Sequence, residues 1–238
     1  MPMAELHKTT LHNWRRADAS RGAGAMQIGA LVSPRAAEMT KRIVDVSAAF
    51  FGGLLLLPLI AIIVIAVKAT SPGPVFFCQT RLGRRGREIQ VWKFRTMIVN
   101  AGAALAECLQ AEPALAMEWR SQHKIINDPR VTWLGRLLRR TSLDELPQLW
   151  NVLRGDMSLV GPRPIVRDEI PRYGATYELY QRVLPGITGL WQVSGRNNTT
   201  YAQRVHLDAV YVRTWTLWLD LSILLRTVWV VLSAKGAY

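Results

Sequence analysis

The stretch RRTSLDELPQLWNVLRGDMSLVGPRP, residues 139–164, places two adjacent carboxylates, Asp144 and Glu145, beside a short apolar helix pattern. Basic side chains stand at both ends of the stretch: Arg139, Arg140 and Arg163. A helix with its flanking loops does not require so many chemically distinct side chains so close together. Paired carboxylates among cations are typical of a site that binds phosphate groups and a divalent metal ion. The stretch therefore predicts such a site.

Pro147 decides where a helix can begin in this stretch. Proline is tolerated only in the first turn of a helix, so the pattern predicts a helix from about Glu145 to Leu153, closed by Gly155. Asp144 is then the expected N-cap residue. One interpretation of the two acids is purely structural, because a cap and a carboxylate that complements the helix dipole are common features.

The other interpretation of the Asp144–Glu145 pair is functional. A carboxylate at a helix N-terminus near Arg139 and Arg140 is expected to have a depressed pKa and to stay ionised at neutral pH, which suits a nucleophile or a metal ligand. Free N–H groups at the same helix end are available for a phosphate. Because only oxygen ligands are at hand, the metal ion would be Mg²⁺, held by Asp144 and Glu145.

Further cations are displayed in ways that favour anion binding. Arg163 stands between two prolines in the rigid corner Gly161–Pro164, a setting that a flexible solvated arginine does not need. Lys93 and Arg95 alternate with aromatic residues in the segment WKFRTM, so they would share one face of a strand. That placement predicts a phosphate-facing pair.

A β-hairpin is predicted upstream of the carboxylates. The runs VFFCQTR (75–81) and REIQVWKFRTM (87–97) flank the turn LGRRG, in which two glycines favour a change of chain direction. The arginines of the turn are equally well explained as a solvated surface. The rest of the chain reads mainly as helix, so the expected fold class is mainly α with a small β-hairpin.

The segment 46–67 is an apolar run of 22 residues without a charge. An unbroken helix of that length, at about 1.5 Å per residue, would just cross a bilayer. Pro58 lies in the middle, however, and basic residues flank both ends, which places both ends on the cytoplasmic side by the positive-inside rule. We therefore predict a re-entrant helix-break-helix hairpin over residues 41–70, with Pro58 at the break; a straight transmembrane anchor is the alternative.

The domain organisation follows from these segments. Residues 1–40 are expected to form a flexible tail, residues 41–70 the membrane hairpin, and residues 71–238 a cytoplasmic catalytic domain. Within that domain, VTWLGRLLRR (131–140) and WTLWLDLSILLRTVWVVL (215–232) are amphipathic and suit helices that lie on the membrane interface.

Composition supports contact with a polyanionic surface. Half of the residues are apolar, yet the formal net charge is +13. The anionic leaflet of a membrane and a nucleic acid both fit that charge. The apolar run and the lack of a recognisable recognition module argue against nucleic acid. The two cysteines have no disulfide-framework or metal-ligand spacing, which indicates a reducing compartment.

Three blocks of the sequence resemble one known family. KFRTM (93–97), TSLDELPQLWNVLRGDMSLVGPRP (141–164) and PGITGLWQVSGRN (185–197) are similar to the bacterial sugar transferases, the monotopic phosphoglycosyl transferases. The resemblance covers the chain from about Lys41 onward and includes the re-entrant helix. One departure is Leu57, where some members of the family carry a serine before the proline of the break.

The resemblance implies a two-step phosphoryl transfer. Asp144 would attack the β-phosphate of a UDP-sugar, release UMP and hold the phosphosugar covalently until membrane polyprenyl (undecaprenyl) phosphate accepts it. Glu145 would hold Mg²⁺ or assist proton transfer, and the phosphates or nucleotide would be contacted by three cations, Lys93, Arg139 and Arg163. Such a reaction is the first membrane step of exopolysaccharide, capsule or O-antigen assembly, on the cytoplasmic face of the bacterial inner membrane.

Two matters stay open at this point. A basic membrane-surface binding or scaffold protein without catalysis would explain charge and hydrophobicity, but it leaves the Asp144–Glu145 pair unexplained. Both a monomer and a homodimer are compatible with the sequence, and the transferred sugar, galactose, glucose or another, is not readable from it.

Overall fold

The computed structural model describes residues 34–111, 117, 125, 128–195 and 199–232. Most of the predicted flexible tail, residues 1–33, and the end of the third sequence block, residues 196 and 197, therefore lie outside the described residues. Internal contacts divide the chain into two units, residues 1–44 and residues 45–238. The described part of the first unit is the start of a helix.

Helix α1, Pro34–Thr70, carries the apolar run. It begins at Pro34 rather than at Lys41, and it continues through Pro58. The helix is therefore not interrupted at Pro58, and a bend within it at that residue stays a prediction. Proline removes one backbone hydrogen bond, but the residues around it retain theirs, and a full break would leave more backbone groups unsatisfied. At about 1.5 Å per residue a straight helix of this length would measure about 55 Å. The re-entrant topology itself stays a prediction.

The predicted hairpin is confirmed. Strand β1, Phe76–Leu82, pairs antiparallel with strand β2, Glu88–Phe94, across a short 3-10 turn at Arg84–Gly86. In this register Phe77 lies opposite Lys93. Since side chains alternate between the two faces of a strand, Phe77 and the residues two and four positions along β1 share the face of Lys93.

A second sheet was not expected from the sequence. Strands β3, Ser158–Val160, and β4, Gly186–Thr188, are parallel and have three residues each. They approach so closely that a Cβ on Gly186 would collide with the backbone of Gly161. Such short strands carry little periodic signal, and only the close-packed glycines in both segments hint at them.

Helices make up most of the remaining described chain, as expected. After α1 the structure has eight α-helices within the described residues: α2 Ala101–Ala111, α3 Trp133–Thr141, α4 Gln148–Arg154, α5 Ile170–Tyr173, α6 Thr176–Tyr180, α7 Leu190–Ser194, α8 Tyr201–Thr214 and α9 Leu217–Leu232. The buried Asp220 does not interrupt α9, because Tyr211 and Trp215 supply its hydrogen bonds at 2.8 and 3.0 Å.

Packing around β2 positions the predicted site. Ile63 and Val67 of α1 pack with Phe94 at the end of β2 and with Leu134 and Leu138 of α3. Nearer the start of α1, the buried Asp45 accepts hydrogen bonds from the Ser158 hydroxyl at 2.7 Å and from the Leu159 N–H at 3.3 Å. The helix is thereby attached to both small sheets.

Asn151 of α4 covers the outer edge of β2. Its Nδ2 donates to the Gln90 carbonyl at 2.6 Å, and its Oδ1 accepts from the Trp92 N–H at 3.1 Å. A two-stranded sheet leaves the outer edge of each strand unpaired, so this fully buried amide replaces a missing third strand.

We expect Asn151→Ala to lower the free energy of unfolding by about 2–4 kcal/mol, because two buried backbone groups lose their partners at once. Thermal or denaturant unfolding of the purified protein, with or without detergent, measures the change in the free energy of unfolding. Arg154→Ala is the matched control on the same helix, where the side chain is 53% exposed, and it should change stability by less than about 0.5 kcal/mol. Equal effects of the two substitutions would contradict the role of Asn151.

Candidate active site

Asp144 lies in a tight turn between two helices and does not cap α4. Helix α3 ends at Thr141, its C-cap residue Ser142 is left-handed at φ 58°, and the next residues form a 3-10 turn, Leu143–Glu145. Pro147, without a side-chain cap, occupies the N-cap position of α4, so the predicted helix start at Glu145 was wrong. Two successive i to i+3 hydrogen bonds, from the Glu145 N–H to the Ser142 carbonyl and from the Leu146 N–H to the Leu143 carbonyl, hold this segment as a 3-10 turn. The predicted end at Gly155 is confirmed, with φ 92°.

The predicted site residues line one cavity. Its volume is about 920 Å³, and its wall includes all six residues expected from the sequence: Lys93, Arg95, Arg139, Asp144, Glu145 and Arg163. Four separate segments contribute them: β2 and the residue after it, α3, the 3-10 turn, and the Pro-Arg-Pro corner. The fold therefore brings together side chains that lie up to 70 residues apart in the chain.

Glu145 is held by two cations. Lys93 Nζ donates to Glu145 Oε1 at 2.5 Å, and Arg163 Nη1 lies 3.6 Å from the same oxygen. Burial opposes ionisation of this carboxyl, but Lys93 and Arg163 outweigh it and lower the pKa of Glu145 to about 2. Glu145 is therefore a fixed negative charge at neutral pH.

Asp144 behaves differently, although it is the adjacent residue. Its side chain is buried, and burial raises the pKa of the Asp144 carboxyl to about 6. Lys93 acts in the opposite direction, and the negative charge of Glu145 adds to the rise. The depressed pKa expected from a helix N-terminus was wrong, because the residue occupies a buried turn instead. Asp144 is still mainly ionised at pH 7.

The guanidinium groups of Arg139 and Arg163 make few contacts with other protein groups. Arg139 Nε donates to the Thr96 hydroxyl at 2.9 Å, and burial lowers the pKa of its guanidinium without making it neutral at pH 7. The Arg163 side chain is 39% exposed, so most of its donors remain accessible from the cavity. An anion in the cavity would meet both guanidinium groups.

Arg95 has a structural role, and its predicted phosphate contact stays a prediction. Its two terminal nitrogens donate to the carbonyls of Ser71 and Pro72, each at 2.7 Å. Those carbonyls follow α1 directly, where a helix end leaves acceptors without backbone partners. Arg95 is also buried, so its guanidinium fastens the end of α1 to β2.

Sequence reasoning missed part of the cavity wall. Residues 187, 188 and 191–193, from β4 and α7, also line it. They belong to the third sequence block, and that resemblance was the signal that they matter. Gln79 of β1 also lines the cavity, and the signal for it is its position on the strand face that Lys93 shares.

The donor set fits a metal ion that is shared with a substrate. Within the described ranges no cluster of three or more His, Cys, Asp or Glu side chains exists. Asp144 and Glu145 are thus the two protein carboxylates available. Mg²⁺ is commonly bound through one or two carboxylates plus substrate phosphates, and this pair meets that requirement.

The comparison with known families decides the identity of the chain. The sequence model of the family described as bacterial sugar transferase matches residues 36–234. The chain belongs to the bacterial sugar transferase family. The match includes α1 from its third residue onward, the hairpin and every residue of the cavity wall.

This bacterial sugar transferase is similar to several curated proteins. It is 47% identical over 198 residues to the UDP-galactose-lipid carrier transferase of Erwinia amylovora, which covers 83% of this chain and 41% of that protein. It is 46% identical over 208 residues to the undecaprenyl-phosphate galactose phosphotransferase of Salmonella typhimurium, covering 87% and 43%. It is 46% identical over 200 residues to the exopolysaccharide production protein ExoY of Rhizobium meliloti, covering 84% and 88%. The chain thus spans less than half of the first two relatives and most of the third.

We expect Lys93→Met to destabilise this sugar transferase by about 2–3 kcal/mol at pH 7, because Glu145 loses the nearer of its two cations. A carboxyl with a lowered pKa stabilises the fold above its unfolded pKa, near 4.5, and that contribution is lost as the pH falls toward about 2. The difference between the variant and the wild type should therefore shrink as unfolding is measured at lower pH.

Lys68→Met is the control for this prediction, because it removes the same charge from an exposed position. It should have a small effect that does not depend on the ionisation of Glu145. A Lys93→Met effect that stays constant between pH 7 and pH 3 would contradict the ion pair as its cause.

Proposed function

We propose that this chain transfers a hexose-1-phosphate from a UDP-sugar to membrane undecaprenyl phosphate, with release of UMP. The observation that carries the proposal is a buried carboxylate, Asp144, in a cavity whose wall displays Lys93, Arg139 and Arg163. The name of the Erwinia relative mentions UDP-galactose and a lipid carrier, and that of the Salmonella relative mentions undecaprenyl phosphate. Both names support this substrate pair. The name of the Rhizobium relative supports a place in exopolysaccharide production.

The first step is attack by an Asp144 oxygen on the β-phosphorus of the UDP-sugar. The bond from that phosphorus to the oxygen that bridges to the α-phosphate breaks, and UMP leaves with the bridging oxygen. The phosphosugar remains on Asp144 as an acyl phosphate. In the second step an oxygen of undecaprenyl phosphate attacks the same phosphorus, and the Asp144 carboxylate is restored. Covalent catalysis of this kind splits one displacement into two.

The environment of Asp144 suits a nucleophile. A carboxylate with a pKa of about 6 is more basic than an ordinary aspartate, and it is still mainly ionised at pH 7. Arg139 and Arg163 supply positive charge near the position where the departing phosphate gains negative charge. The cavity therefore combines a reactive anion with cations that offset the repulsion between that anion and a diphosphate.

Glu145 has an electrostatic role and does not transfer protons. With a pKa of about 2 it holds no proton to donate at neutral pH and is a weak base. Asp144 and Glu145 are the residues that would hold Mg²⁺ together with substrate phosphate oxygens. When bound, Mg²⁺ supplies charge neutralisation of the transferring phosphoryl group.

A membrane location is supported by α1 and by the surface of the second unit. Helix α1 is long and apolar enough to cross a membrane, and only 11% of its most apolar window is buried in the protein. Trp133 of α3 and Trp218 and Trp229 of α9 are exposed, which suits helices that lie on the membrane interface. We place the chain on the cytoplasmic face of the bacterial inner membrane, with α1 re-entrant at Pro58.

Asp144→Asn should abolish release of UMP, with a loss of at least about a thousandfold, because an amide oxygen does not form the covalent intermediate. The assay supplies UDP-sugars, Mg²⁺ and undecaprenyl phosphate and measures UMP. Asp168→Asn makes the same change at an exposed position and should retain activity. A wild-type chain that binds membranes but releases no UMP from any UDP-sugar would favour the non-catalytic scaffold.

The dependence of the rate on pH should report Asp144. We expect kcat/KM for the UDP-sugar to fall about tenfold per pH unit below pH 6, since the protonated acid is not a nucleophile. This parameter describes the free enzyme up to UMP release, so titration of the lipid phosphate does not enter it. Lys93→Met should move the midpoint to higher pH, because Lys93 is the strongest charge that lowers the pKa of Asp144. An unchanged midpoint in that variant would exclude Asp144 as the titrating group.

A further inference from the structure

Gln79 and Arg81 are neighbours on one face of β1. The register places Gln79 opposite Val91 and Arg81 opposite Ile89, on the face that also carries Phe77 and Lys93. Gln79 therefore lies one step along the strand face from the Lys93–Glu145 pair. Gln79 also lines the cavity that contains Asp144.

Arg81 determines which end of the Gln79 amide is free. Arg81 Nη2 donates to the Gln79 side chain at 2.7 Å. A guanidinium has donors and no acceptor, so the atom it contacts must be the amide oxygen, Oε1. The amide nitrogen, Nε2, is then the other end of the group. Among the described residues Gln79 Nε2 has no hydrogen-bond partner.

Arg81 also contacts Pro164 and Glu169, which are not part of the cavity wall. Its Nη1 lies 3.4 Å from the Pro164 carbonyl, as a donor, and 3.7 Å from Glu169 Oε2. Glu169 in turn accepts from the Val166 N–H at 2.9 Å, which secures the chain just after the Pro-Arg-Pro corner. The contacts of Arg81 thus fix the orientation of Gln79 relative to the segment that displays Arg163.

We propose that Gln79 donates a hydrogen bond from Nε2 to a phosphate oxygen of the ligand in this cavity, and that Arg81 is the positioning residue for that amide. The inference deepens the proposed function and rests on it for the identity of the ligand. A phosphate oxygen is the acceptor because two cations that line the same cavity, Lys93 and Arg163, attract anions. The phosphate can belong to the nucleotide diphosphate or to the lipid phosphate.

Binding measurements on the full chain test the proposal without requiring catalysis. The probes are UDP and, separately, a short-chain polyprenyl phosphate, each titrated against wild-type and variant protein. Gln79→Met removes the donor without adding charge, and it should weaken the binding of at least one probe about tenfold or more. Gln79→Glu still accepts from Arg81, so the fold is kept, and the carboxylate should weaken the same probe further by repulsion.

Gln90→Glu is the matched control, because it introduces the same charge on the same hairpin at an exposed position outside the cavity. It should bind both probes like the wild type. Weakening of UDP alone by Gln79→Met assigns the contact to the nucleotide, and weakening of the lipid probe alone assigns it to the acceptor. Unchanged binding of both probes by Gln79→Met overturns the contact, even if Gln79→Glu binds less well, since repulsion alone would then explain that loss.

Arg81 is tested through a double-mutant cycle. Arg81→Lys keeps the charge but loses the planar group that holds Gln79, so it should weaken binding in the wild-type background and have a smaller effect in the Gln79→Met background. Fully additive effects would overturn the positioning role.

Release of UMP by the wild-type chain is measured in parallel. A chain that releases no UMP, yet binds UDP less tightly after Gln79→Met, contradicts the proposed function and supports the phosphate contact; a chain that binds neither probe overturns both.

Discussion

The contact between Lys93 and Glu145 joins the two parts of the molecule on which the site depends. Lys93 belongs to the hairpin, whose register is set by β1, and Glu145 belongs to a turn between two helices. Their contact at 2.5 Å fixes that turn against β2, and Asp144 is carried with it into the buried wall of the cavity. The same lysine is also the strongest charge that opposes the rise in the pKa of Asp144. One side chain therefore determines both the position and the ionisation of the proposed nucleophile.

Adjacent residues in this turn have opposite electrostatic properties. Glu145 shares an oxygen with two cations and is ionised over the whole physiological range, whereas Asp144 has a raised pKa because burial outweighs the surrounding charge. Two identical functional groups acquire separate roles when their environments push their pKa values apart.

The residue types of the site were predictable from the sequence, since few structural explanations fit two acids, a Pro-Arg-Pro corner and cations at both ends. The hairpin was predictable as well, because alternation and glycine spacing are local signals. The properties that depend on packing were not. The pKa of Asp144 reverses the sequence-based expectation because burial depends on Lys93, α3 and α4 meeting in space. The helix also continues through Pro58, because the hydrogen bonds of a long apolar helix outweigh the local propensity of one proline.

The arginines of the hairpin region show why charge alone does not identify a ligand contact. Arg95, for which the sequence pattern predicted a phosphate contact, donates hydrogen bonds to carbonyls at the end of α1. Arg81, for which the sequence predicted no role at the end of the first strand run, is half-buried and holds Gln79 beside the cavity. A guanidinium reaches several residues away from its own backbone, so strand alternation predicts the face of the side chain and leaves open which acceptor it will find. The distinction between an arginine that binds phosphate and one that arranges its neighbours therefore rests on counting the acceptors already within its reach: Arg95 and Arg81 have theirs in the protein, and Arg163 offers most of its donors to the cavity.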